Sequence, residues 1–81
     1  MTRVLLFGRL RDIAGWRERT FDPPAERLSA LKAMIRLADA TLADALDGPG
    51  VQAAVDKALV RGDAGLRPGA EVAFLPPMSG G

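Results

Sequence analysis

Apolar positions in this chain fall into short runs separated by glycine and proline, with one longer stripe at helical spacing. Val4-Leu5-Leu6-Phe7, closed by Gly8, is a short apolar run and reads as a strand. It is apolar on both sides, which suits a central place in a sheet. Arg9 to Gly15 mixes charged and apolar residues and reads as a helical turn closed by Gly15. Trp16 to Asp22 reads as a second strand with a hairpin-like link to the first. Pro23-Pro24 then stops the ladder, because proline has no N–H to donate. Ser29 is the expected N-cap of a helix. Leu31, Met34, Ile35 and Ala38 follow it at i, i+3, i+4 and i+7, which places them on one helical face. Thr41-Leu42-Ala43-Asp44 reads as a variant capping box, with Leu42 and Leu46 at helical spacing. Gly48-Pro49-Gly50 ends the helical region, and the pattern leaves open whether residues 29–47 form one helix or two.

Gln52 to Val60 reads as a strand or strand pair, followed by a loop at Gly62-Asp63-Ala64-Gly65. Arg67-Pro68-Gly69-Ala70 has proline and glycine where a type II turn requires them. Glu71 to Leu75 is the last strand. The expected order is β-β-α-β-β, and a mixed sheet with a helix across one face is the natural packing, an α+β fold. Period two assigns the faces. Glu71 and Arg3 mark one face as outer, so Val4, Leu6, Val72 and Phe74 point toward the helix. Leu5, Phe7 and Leu75 then form an outer apolar patch if the first and last strands are neighbours.

Composition narrows the chemistry. The chain has 81 residues, enough for one small domain. It has no Cys, His or Tyr. No disulfide framework is available, most metal sites are removed, and nearly all nucleophile–base pairs are removed with them. The absence of cysteine fits a reducing compartment. Net charge is +1, from 11 basic and 10 acidic residues, which gives no general reason to expect nucleic acid or an anionic membrane. The opening apolar run is too short for a signal peptide, and no stretch approaches a membrane span. A soluble, cytoplasmic protein is expected.

The last six residues carry the distinctive chemistry. Residues 1–75 read as the domain and 76–81 as a flexible tail. Pro76-Pro77 favours an extended exit from the last strand. Met78 and Ser79 follow, and Gly80-Gly81 makes a thread that can enter a narrow channel, since no side chain protrudes. A free α-carboxylate is inert as an acyl donor. Once adenylated by a partner using ATP, it can be attacked by a sulfur nucleophile to give a thiocarboxylate, which needs no cysteine. Gly81 is the expected reactive residue.

Other clusters read more plainly. Arg3, Arg9, Arg11, Arg17 and Arg19 lie close together in sequence and read as a solvated face, with an acidic partner or a phosphate as the alternative. No interleaved aromatic platform accompanies them, so nucleic-acid binding is disfavoured. Asp39, Asp44 and Asp47 do not share one helical face and read as solvating residues; no metal site is expected. The Gly48 and Gly62 loops lack the Lys-Ser/Thr of a phosphate loop. Trp16 reads as a single partly buried aromatic.

The chain resembles the small, sulfur-carrying subunit of molybdopterin synthase, a ubiquitin-like β-grasp family, over essentially its full length. The resemblance rests on Val4 to Arg11, Ala14-Gly15, Ala53 to Asp56 and Gly69 to Gly81, above all the Phe-Leu-Pro-Pro-Met-Ser-Gly-Gly ending. It departs at Asp56, where the family usually has Asn, and at Ala70, where it usually has Asp; both read as turn positions. The resemblance implies that an adenylating enzyme charges Gly81 with ATP and that a persulfide donor supplies sulfur. Ser79 and Gly80 then enter the large synthase subunit with the tail, and sulfur passes to cyclic pyranopterin monophosphate. It also implies a heterotetramer of two small and two large subunits, with side-chain catalysis supplied by the large one and no cofactor bound permanently by this chain. Phe7, Leu59, Leu75, Pro76 and Pro77 match partner-contacting positions. The alternatives are a sulfur carrier for thiazole or cysteine synthesis and a ubiquitin-like modifier or interaction module. The Pro76 to Ser79 stretch favours the molybdopterin branch.

Overall fold

The computed structural model describes residues 1–77. The apolar run at the start forms strand β1 (Thr2–Leu6), and the last run forms β5 (Glu71–Leu75). The two pair in parallel, with Leu5 opposite Ala73 and Leu6 opposite Phe74. Strand β2 (Glu18–Phe21) pairs antiparallel with β1, and β3 (Gln52–Val55) pairs antiparallel with β5. Strand β4 (Ala58–Val60) completes the sheet on the far side of β3. The order across the mixed sheet is β2-β1-β5-β3-β4, which puts the first and last strands side by side at its centre.

Alternation along these central strands fixes the core. Val4, Leu6, Val72 and Phe74 are sealed from solvent, as period two requires. They pack with Leu10 of helix α1 (Arg9–Ala14), with Leu28, Leu31 and Ile35 of α2 (Leu28–Ala38), and with Leu42, Ala43 and Leu46 of α3 (Ala40–Leu46). Each large side chain buried here contributes about 1.5–3 kcal/mol. Among the described residues, Thr2 is the one buried polar residue, and its hydroxyl accepts from the Ala25 N–H at 2.9 Å, so its burial leaves no orphaned oxygen.

The structure sharpens the expected elements at some points and corrects them at others. The segment after Gly8 is a helix in its own right, closed by Gly15 in the left-handed conformation. The second strand begins at Glu18 rather than Trp16. The region 29–47 is two helices broken at Asp39. Ser29 is not the N-cap of α2: the helix starts one residue earlier, behind Arg27. Its cap comes from a distant loop, where the Asp63 carboxylate accepts from the Ser29 N–H at 2.7 Å and from its hydroxyl at 2.8 Å. The second helix is capped by Asp39, which accepts from the Leu42 N–H at 3.0 Å, and not by a box built on Thr41. The Arg67 to Ala70 turn forms as expected, with Gly69 at φ 82° and the Ala70 N–H donating to the Arg67 carbonyl.

Candidate functional site

The candidate site is the outer face of the sheet together with the root of the tail. Register assigns that face row by row. Glu18, Leu5, Ala73, Ala54 and Leu59 are successive cross-strand partners on β2, β1, β5, β3 and β4. From Leu5 to Leu59 the row is apolar across four strands, a width of roughly 14 Å at the usual strand spacing. Toward the tail, Phe7 stands one residue past β1 and Leu75 ends β5 opposite Gln52. Phe7 is 45% and Leu59 64% exposed, while Leu75 and Pro76 are half-buried and Pro77 is exposed. The expected patch of Leu5, Phe7 and Leu75 is thus brought together at one end of the sheet. Leu59, quoted only by resemblance, joins it through the Ala54 register.

The opposite end of the same face is charged. Arg3 pairs with Glu71 at 2.6 Å and with Glu18 at 3.4 Å. Asp56, at the tip of the β3–β4 turn with φ 47°, brackets Glu71: its N–H donates to the Glu71 carbonyl, and its carboxylate accepts from the Glu71 N–H at 3.0 Å. The same carboxylate meets Arg67 at 3.2 Å. Asp56 is therefore a turn residue, as expected. Ala70 is only the end of its turn: it is fully buried, and its carbonyl accepts from the Arg3 N–H.

The tail leaves between two bare stretches of backbone. Pro76 rests on Gly8, in the turn between β1 and α1, and Pro77 rests on Gly50, in the loop before β3. Both glycines have positive φ, 56° and 79°. The contacts of Gly8 and Gly50 with the tail root are structural features that residue-by-residue reading missed, since glycine before a helix or a strand reads only as a turn. The expected reactive residue Gly81 and the insertion residues Ser79 and Gly80 lie outside the described residues.

Several of the remaining charges have structural partners. Asp44 and Asp47 hold Arg36 at 2.9 and 3.5 Å, Asp47 also holds Lys32, and Asp39 caps α3. Arg19 lies over the Phe21 ring at 4.9 Å, whose other neighbour is Trp16. Arg11 and Arg17 border a cleft of about 290 Å³ with Leu5, Phe7 and Glu18, beside the apolar patch. The Asp63 carboxyl is shifted by its surroundings. The Ser29 backbone N–H, then the Ser29 hydroxyl, then Arg27 hold its carboxyl below the usual aspartate range. Among the described residues, no helix is long and apolar enough to cross a membrane.

Comparison with known proteins bears on this geometry. The ThiS family matches residues 4–81. Among solved structures, the chain is similar to SAMP1 from Haloferax volcanii, with a TM-score of 0.84 and 21% sequence identity over 99% of this chain and 98% of that one. At that identity the likeness concerns the fold, which is ubiquitin-like β-grasp of the α+β class. No curated protein matches. A five-stranded β-grasp sheet, an apolar outer face and a Gly-Gly ending meet in one chain, and with the match over residues 4–81 they place it: this chain belongs to the ThiS family of ubiquitin-like sulfur carriers.

Proposed function

We propose that this chain is the sulfur-carrying small subunit of a molybdopterin synthase. The observation that carries the reading is the convergence of the apolar row with the point where β5 passes into Pro76-Pro77-Met78-Ser79-Gly80-Gly81. A partner seated on Phe7, Leu59 and Leu75 has its active site close to the tail it must receive. Open apolar side chains grouped at one end of a sheet, as Phe7 and Leu75 are, support an interaction site over scattered apolar residues.

In this reading the Gly81 carboxylate attacks the α-phosphorus of ATP in the activating enzyme, and pyrophosphate leaves. A persulfide sulfur then displaces AMP from the acyl carbon. A thiol cleaves the resulting acyl disulfide, is itself oxidised to a disulfide, and leaves the thiocarboxylate on Gly81. The net change is one oxygen replaced by sulfur. The charged tail enters the large subunit, with two small and two large subunits in the assembly, and sulfur passes to cyclic pyranopterin monophosphate. This chain supplies no side-chain catalysis: it is a subunit and a co-substrate recharged each cycle.

Intact mass tests the reading. With the activating enzyme, ATP and a sulfur source, the protein is expected to gain about 16 Da. The charged protein with the large subunit is then expected to convert cyclic pyranopterin monophosphate to molybdopterin. Charged protein that passes its sulfur only to thiazole or cysteine synthesis would move the chain to those pathways. Covalent joining of Gly81 to other proteins' lysines, with no sulfur gained, would make it a modifier.

A further inference from the structure

The tail root is held at two points by residues that have no side chain. A Cβ built on Gly50 would lie 2.7 Å from Cβ of Pro77 and 3.7 Å from its Cα, and one built on Gly8 would lie 2.8 Å from Cγ of Pro76. Carbon atoms do not approach that closely, so neither proline could keep its place over an alanine. The glycines come from separate loops: Gly8 follows β1, and Gly50 precedes β3. These strands flank β5 on its two sides, so the loops stand on either side of the tail as it leaves the sheet. Proline has a fixed φ, and two in succession, each resting on backbone, leave the chain little freedom to swing at residues 76 and 77.

We propose that Gly8 and Gly50 are positioning residues that form a backbone saddle, seating Pro76 and Pro77 so that the tail leaves the domain in one direction. The inference rests on the sulfur-carrier reading for its purpose, which is to present the C-terminal carboxylate to an adenylating active site while the apolar outer face is docked. Docking on Phe7, Leu59 and Leu75 sets where the domain sits; the saddle sets where the thread points. Ordering the root in advance removes entropy that would otherwise be lost on entry into the channel. Misplacing a reacting group by about 1 Å can lower a rate by as much as about a hundredfold.

The molecule contains its own control. Gly69, at φ 82°, has nearly the same φ as Gly50, but a Cβ there would meet nothing within 4 Å. Gly50→Ala and Gly69→Ala therefore carry similar backbone strain, and only the first displaces a proline. The test measures adenylation of the full chain by the source organism's activating enzyme, together with unfolding by urea. Gly50→Ala is expected to lower kcat by about tenfold with KM changed less than about twofold, because the docking surface is intact. Gly69→Ala is expected to lose comparable stability and to keep the wild-type kcat. The nuclear Overhauser contact between Gly50 and Pro77 is expected in the wild type and in Gly69→Ala, and absent in Gly50→Ala. Should Gly50→Ala fail to fold, Pro77→Gly removes the seated ring and leaves the loop untouched, and it is expected to show the same fall in kcat. Equal kcat in Gly50→Ala or Pro77→Gly and the wild type, or no Gly50–Pro77 contact in the wild type, overturns the saddle while leaving the carrier reading in place. A wild-type chain that is seated as described yet is not adenylated overturns the carrier reading, and the saddle's purpose with it.

Discussion

Strands β1 and β5 carry apolar residues on both faces, but the two faces differ in what happens to them. Val4, Leu6, Val72 and Phe74 are sealed beneath the helices, whereas Leu5, Ala73, Leu75 and the adjoining Phe7 are left partly or largely open. Hydrophobicity alone does not separate the two sets; the position of the helices does. The inner set supplies the core of a domain whose total stability is on the order of 4–12 kcal/mol. The outer set is buried only in part, and on the proposed reading its open surface meets a partner. The outer face is itself divided, with charges locked in pairs around Arg3 at one end and apolar side chains at the end where the tail departs. On the proposed reading, stability and function lie on opposite sides of the same strands, one residue apart.

The sharpest test of this division removes function without touching the fold. Deleting Gly81 is expected to abolish the sulfur gain completely while leaving the urea midpoint and the circular dichroism spectrum unchanged. Sulfur loading that persists on the shortened chain would place the reactive group elsewhere.

The next test exchanges the two faces. Phe74→Ala is expected to cost about 3–5 kcal/mol, a large part of the whole stability, with Phe74→Leu as the milder variant if the alanine form does not fold. Phe7→Ala is expected to change the urea stability by about 0.5 kcal/mol or less, and to weaken binding to the large subunit by about 1–2 kcal/mol in calorimetry. Leu59→Asp is expected to do the same by setting a charge against the partner's apolar surface. A Phe7→Ala variant that loses several kcal/mol of stability would make Phe7 a core residue and dissolve the comparison.

How far the sequence foretold this molecule follows from the range of the interactions involved. The inner and outer faces were legible because they depend on period two within a five-residue strand, and Arg3 and Glu71 marked the same face. The Gly-Gly ending and the resemblance it carries were legible because they are contiguous. What failed depends on contacts across the chain. Ser29 has the chemistry of an N-cap, but a distant loop serves the start of α2, with Asp63 accepting from the Ser29 N–H and the Ala64 carbonyl from the Leu28 N–H, so the helix begins at Leu28. The Thr41-Leu42-Ala43-Asp44 pattern is local, whereas the cap is Asp39, where the chain bends between two helices. The seating of Pro76 on Gly8 joins opposite ends of the sequence and leaves no periodic trace. Ala70 closes its turn as read, but its full burial, beside β1 where its carbonyl accepts from the Arg3 N–H, is a contact between distant parts of the chain.

The smallest expected effect concerns the helix side of the sheet, where Asp63 ties the loop before β5 to the start of α2. Its carboxylate accepts two hydrogen bonds from Ser29 and faces Arg27 at 3.3 Å. All three favour the charged form, and the folded-state pKa is accordingly held below that of the unfolded chain. The sign follows by linkage. A group whose pKa is lowered on folding contributes stability that is complete above the unfolded value of about 4 and is lost as pH falls through the folded value beneath it. Asp63→Asn, which keeps an acceptor but no charge, is expected to be slightly less stable than the wild type at pH 7, with the gap closing below about pH 4. Urea titrations at a series of pH values measure that gap. A gap that stays constant down to pH 2 would mean that the cap acts through geometry alone and that the Asp63 charge contributes nothing. Because this site lies on the helix side, sulfur loading at neutral pH should be the same in both proteins, and that independence separates it from every change made on the outer face.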